Sequence, residues 1–148
     1  MVAASQLPTM NLNSPSGFRF NKRLNGWKLL EDTPLEGNPQ LSLSSFLEDD
    51  EIRVYGETMV ERSENAENQL GKCAGQHHLE AMLDHPEDIP AEWRKFCLVA
   101  PRTKWRESHN KRCVACLCWD RDRWVLVFRR LSIDWRGDAR IVRISQVS

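Results

Sequence analysis

The stretch from Phe96 to Phe128 does most to limit what this chain can fold into. Phe96–Ala100, Cys113–Trp119 and Trp124–Phe128 are apolar runs rich in valine, cysteine and aromatic residues, the composition of strands. Asp120–Arg123 separates the last two runs by four residues, a common hairpin loop length. In that register Trp119 and Trp124 face each other across the hairpin mouth, and a cross-strand aromatic pair would pin it. Ile141–Ile144 offers a final strand after the turn-like Arg136-Gly137-Asp138. The expectation is an antiparallel meander of three or four strands.

The first half supplies helices. Glu57–Leu70 is rich in helix formers, with Met59, Ala66 and Leu70 weakly on one face and acidic residues at its start, favourable against the macrodipole. Gly71 and Gly75 interrupt it. Gln76–Asp84 then places Leu79, Met82 and Leu83 at helical spacing, a narrow core-facing stripe. Pro86 ends that helix, and Pro90 opens one more turn over Ala91–Lys95. Upstream, Leu41–Ser45 and Ile52–Tyr55 read as short strands around an acidic turn, Glu48–Glu51. Phe18–Leu30 carries enough apolar mass to dock on the body, whereas residues 1–17 read as a flexible arm. A chain of 148 residues suits one core. The fold expected over 18–148 is a single small α+β domain, its acidic helices packed on one face of the meander.

Charge divides the chain at Pro90. Residues 1–90 hold 7 Lys and Arg against 15 Asp and Glu, a balance of −8. Residues 91–148 hold 14 against 6, a balance of +8, and five of the six tryptophans. Such asymmetry points to partners. Arg102, Lys104, Arg106, Lys111 and Arg112 cluster in what reads as a polar loop, with Trp105 between two of the cations. A loop of this kind tracks phosphates, and an exposed tryptophan stacks on bases. The competing reading is that the arginines pair with the acidic half while the tryptophans form core.

Two metal readings stand beside this one. His78-Leu79-Glu80 followed by Cys113-Val114-Ala115-Cys116 resembles the zinc deaminase pattern, in which His and two thiolates hold zinc and the glutamate shuttles protons. Against it, residue 112 is Arg where that motif has Pro. Positions 113 and 116 of a strand also point to opposite faces. A structural zinc site on His109, Cys113, Cys116 and Cys118 lacks its second knuckle. Five cysteines cannot all pair within the chain, so free buried thiols in a reducing compartment are expected. No phosphate-binding glycine loop or G-x-S-x-G elbow is present. With no apolar run near the roughly 20 residues of a membrane span and no signal-peptide core near the start, a cytoplasmic protein is expected.

Several stretches resemble a family of small bacterial proteins from uncultivated candidate phyla. They are Phe20–Asp32, Gly56–Met59, Gly75–Leu83, Ile89–Trp93, Phe96–Arg106, Ala115–Trp119, Arg123–Leu131 and Asp134–Trp135. The resemblance implies a single-domain protein and attaches no activity, and the cysteines at 113–118 are outside its pattern. The functional expectation is a non-enzymatic binding module contacting nucleic acid or an acidic protein through Arg102, Lys104, Trp105, Arg106, Lys111 and Arg112, without cofactor. The alternative is a zinc hydrolase of deaminase type using His78, Cys113, Cys116 and Glu80.

Overall fold

A computed structural model describes residues 17–146, so the arm expected over 1–17 lies almost wholly outside the described residues. Nine strands and three α-helices follow one another: β1 (Lys28–Glu31), β2 (Pro39–Ser44), β3 (Arg53–Tyr55), α1 (Gly56–Asn65), α2 (Glu67–Leu70), β4 (Lys72–Cys73), α3 (Gln76–Asp84), β5 (Cys97–Arg106), β6 (Arg112–Asp120), β7 (Arg123–Arg130), β8 (Asp134–Arg136) and β9 (Ala139–Gln146). Short 3-10 turns cover Lys22–Asn25, Pro86–Asp88 and Ala91–Lys95. The class is α+β, as expected. The sheet, however, has seven strands, not a meander of three or four, in the order β2-β9-β5-β6-β7 with β1 on β5 and β4 on β9. A separate two-stranded ribbon joins β3 to β8.

The strands β5, β6 and β7 do form the expected antiparallel meander, and Trp119 pairs with Trp124. Their rings meet edge to face with centroids 5.5 Å apart. The hairpin turn is tighter than expected, since Asp120 already pairs with Arg123 and Arg121 takes the left-handed conformation. What extends the sheet is long-range pairing. β9 runs parallel to the first part of β5 and antiparallel to β2 and β4, while β1 takes the last part of β5. Between those two halves β5 is irregular from Ala100 to Lys104, around Pro101, and the Arg102 N–H donates to the Ala74 carbonyl instead.

Side chains alternate through this sheet into two cores, because successive strand residues face opposite sides. Leu98, Ala100, Ala115, Leu117, Leu126 and Val142 pack with Leu79 and Met82 of α3. Val99, Val114, Cys116 and Ile141 pack with Met59 and Val60 of α1, and with Val54 and Trp135 of the ribbon. The helices therefore lie on both faces, where the sequence led us to expect one. Gly56 opens α1 against the ribbon; a Cβ there would sit 2.4 Å from the Leu131 carbonyl oxygen, so only glycine fits.

Two further corrections concern the first half and the cysteines. The single helix expected over Glu57–Leu70 divides at Ala66. Near the break the Ser63 hydroxyl donates back to the Met59 carbonyl, and the Ser63 carbonyl accepts from Arg143. Cys97 and Cys118 are not free: they sit opposite each other on β5 and β6, Cα atoms 4.6 Å apart, and form a disulfide. Cys73, Cys113 and Cys116 remain as buried thiols.

Candidate functional site

The residues singled out from the sequence do not make an exposed loop. Arg102, Lys104 and Trp105 belong to β5, and their charges are spent inside the chain. Lys104, its side chain 5% exposed, puts Nζ 2.6 Å from Glu64 and 3.0 Å from Glu31. Arg102 clasps Glu67 with Nε and Nη2 and also reaches Glu31. Burial alone would raise the Glu31 and Glu67 carboxyls. Hydrogen bonds from Lys104 and Arg102 overcome it and hold both below the ordinary carboxylate range. The bond to Glu67 pushes the Arg102 guanidinium further above its already high value. Trp105 is fully buried, its indole N–H donating to Gln76 at 2.8 Å; it is core, and no base can stack on it. Arg112 pairs with Glu57 at 3.2 Å. Of the six candidate residues, Arg106 and Lys111 alone are exposed and have no carboxylate partner among the described residues.

The metal-ligating residues are likewise dispersed. The Glu80 carboxylate accepts the backbone N–H groups of Arg19 and Phe20 and the Gln76 amide, so it anchors the N-terminal segment onto α3. His78 is buried, with Nδ1 accepting from Gly75 N–H; desolvation lowers its pKa to about 4. Cys113 and Cys116 occupy opposite faces of β6. Burial pushes their thiols up to about 11 and about 12, so both stay protonated at neutral pH. His109 is largely exposed, and Cys118 is in the disulfide. Among the described residues, the side chains that do converge on one point are His85, Glu87 and Asp88, on a surface turn.

A different arginine stands apart. Arg143 lies in β9, between Ser42 of β2 and Cys73 of β4, and is 2% exposed. Nε donates to Ser44 Oγ at 2.9 Å. Nη1 donates to the carbonyls of Ser63 at 2.8 Å and Gly71 at 2.9 Å, and touches Cys73 Sγ at 3.5 Å. Those carbonyls belong to the last turn of α1 and the residue after α2, the weakly negative ends of both helices. Every partner is neutral. Among the described residues no carboxylate forms an ion pair with Arg143, and Nη2 makes no hydrogen bond.

Arg143 lines a groove of about 390 Å³. One wall is the segment after β2, from Ser45 to Glu48; the other is the α1–α2 junction, with Ser63, Asn65, Gln69 and Leu70. Arg62 closes one side, but it is neutralised by a two-pronged bond to Glu51, with Glu48 3.8 Å away. The bond from Arg62 holds the Glu51 carboxyl down at about 2. Arg143 therefore brings to the groove a buried positive charge with no carboxylate in ion-pair contact among the described residues. In the sequence Arg143 is one of the 14 Lys and Arg of residues 91–148, with nothing in its immediate neighbours to mark it. The signal that could have found it is alternation: Arg143 is two residues from Ile141, and so shares that residue's inward face.

Compared with family models, with curated proteins and with solved structures, the chain matches none.

Proposed function

We propose that the protein is a non-enzymatic binding module that receives an anionic group in the groove above Arg143. One contrast carries the reading. Lys104 and Arg143 are both buried cations, and only Lys104 has carboxylates on it. A guanidinium stays charged in any protein environment, and a buried charge is costly unless paired. The helix-end carbonyls offset part of that cost and keep Arg143 in place; an anion entering the groove offsets the rest. The test is an NMR titration of the whole chain with simple anions at constant ionic strength. Binding at roughly 1 mM or tighter, with shifts confined to the Arg143 Nε–H and the backbone of 45–48 and 63–70, is expected. If no anion moves those signals, the reading fails.

Contact with nucleic acid or an acidic protein is a second reading, narrower than the sequence suggested. It keeps Arg106 and Lys111, joined by Lys28, which faces Arg106 across β1 and β5 and is likewise exposed. Its mark would be affinity falling steeply with salt. No described helix is long and apolar enough to cross a membrane. The cytoplasmic placement expected from the sequence stays a proposal; a Cys97–Cys118 bridge found intact in purified protein would favour an oxidising compartment instead.

A further inference from the structure

We infer that the occupant of the groove is a small monocarboxylic acid carried on a short apolar stem, an inference that rests on the anion reading above. Charge limits the ligand first. Arg143 brings one positive charge, while Arg62 is cancelled by Glu51 and Glu48 on the same side. A dianion such as phosphate would meet those two carboxylates, and also the carbonyl-bearing end of α1 at Ser63. Arg143 and Arg62 against Glu51 and Glu48 sum to zero, so the groove has no surplus charge to hold a dianion, and the direct contact with Arg143 is what favours a monoanion.

Hydrogen-bonding capacity limits it next. Nε and Nη1 of Arg143 are occupied, which leaves Nη2 to donate. The amides of Asn65 and Gln69 line the same groove and make no side-chain hydrogen bond among the described residues. A carboxylate has two oxygens in one plane; Nη2 serves one, and a neutral amide serves the other. Phosphate would leave further oxygens without donors.

The remaining lining is apolar. Phe46 and Leu47 stand on one wall, and Leu70 on the other is 49% exposed, one of few large hydrophobic side chains left in water. An alkyl or branched stem covering Leu70 removes that surface from solvent. The volume, about 390 Å³, falls in the range of small-molecule sites. We therefore assign the site to a free acid, with a peptide C-terminus as the other source of the same group.

The experiment is calorimetry and NMR on the full chain with acetate, hexanoate, hexanol, inorganic phosphate, and a leucine-ending pentapeptide with free or amidated terminus. Hexanoate should bind at least about tenfold more tightly than acetate, because its extra methylenes reach apolar surface. Hexanol and phosphate should not compete with it. Leu70→Glu, a change at an exposed position, should abolish hexanoate binding while leaving the thermal midpoint within its usual scatter. Phosphate binding as well as hexanoate would overturn the carboxylate assignment and leave the anion reading standing. A free-terminus peptide that binds where hexanoate does not would overturn the free-acid source. Hexanol binding equally well, or no probe binding at all, would overturn the anion reading itself.

Discussion

His78 is a buried imidazole whose desolvation outweighs the bond from Gly75 and the nearby Asp32. Its pKa in the fold is about 4, against about 6.5 unfolded. Between those values the unfolded chain holds the extra proton, so stability is complete above about pH 6.5 and is lost as pH falls toward 4. The expected loss is on the order of 3 kcal/mol. The Asp32 carboxyl acts in a different window. Burial would raise it, but bonds from His77 and Thr103 hold it low. Like Glu31 and Glu67, it subtracts stability only as pH drops below about 4. Urea midpoints measured across pH should thus show two limbs, and His78→Asn should flatten only the upper one. An unchanged upper limb would remove His78 from the account. None of this was legible in the sequence, where His78 and Glu80 two apart suggested metal chemistry. Burial, and the bonds that Glu80 accepts from the Arg19 and Phe20 N–H groups, depend on a segment some 60 residues away.

Among the elements, the β6–β7 hairpin is the part most fully specified by its own residues. Trp119 touches Trp124 edge to face, and the Arg94 guanidinium lies 4.0 Å over the Trp119 ring. A double-mutant cycle at Trp119 and Trp124 should return about 0.5–1.5 kcal/mol of coupling; zero coupling would mean the ring contact contributes nothing beyond buried area. Local patterning also sufficed for α3, whose bounds match the apolar stripe from Gln76 to Asp84. It failed for β1, β4 and β8, which are two to four residues long and owe their existence to a partner strand. Two residues such as Lys72 and Cys73 carry no periodicity to detect. The split at Ala66 escaped notice for a related reason, since the Ser63 carbonyl is drawn to an arginine 80 positions later. The disulfide was hidden by an odd cysteine count, although Cys97 and Cys118 lie opposite once the strands are paired.

For the molecule as a whole, the opposite charges of the two halves meet within one chain. Glu31, Glu64 and Glu67 from the acidic half surround Arg102 and Lys104 from the basic half, at the place where β5 leaves β9 and turns to β1. The sequence offered this pairing only as a competitor to partner binding, because charge balance says nothing about distance. Lys104→Ala should cost about 1–3 kcal/mol, because Glu31 and Glu64 lose their shorter cation contact and keep only Arg102, which is shared with Glu67. Lys104→Met should cost less, since it restores the packing of the aliphatic stem. Both are read from chemical denaturation, and a change under about 0.5 kcal/mol for Ala would place the network in solvent. The position of Arg143 has a consequence in time. Its partners Ser44, Ser63, Gly71 and Cys73 lie 99, 80, 72 and 70 residues before it. The hairpins of β5, β6 and β7 can close early over short loops, whereas β9 must find β2 and β4 across most of the chain, the slower kind of search. The groove is therefore expected to form late in folding, after the meander. A refolding chain can hold its meander and most of one core and still have nowhere for an anion to sit, so that ligand capture during refolding would report the closure of the sheet rather than its beginning.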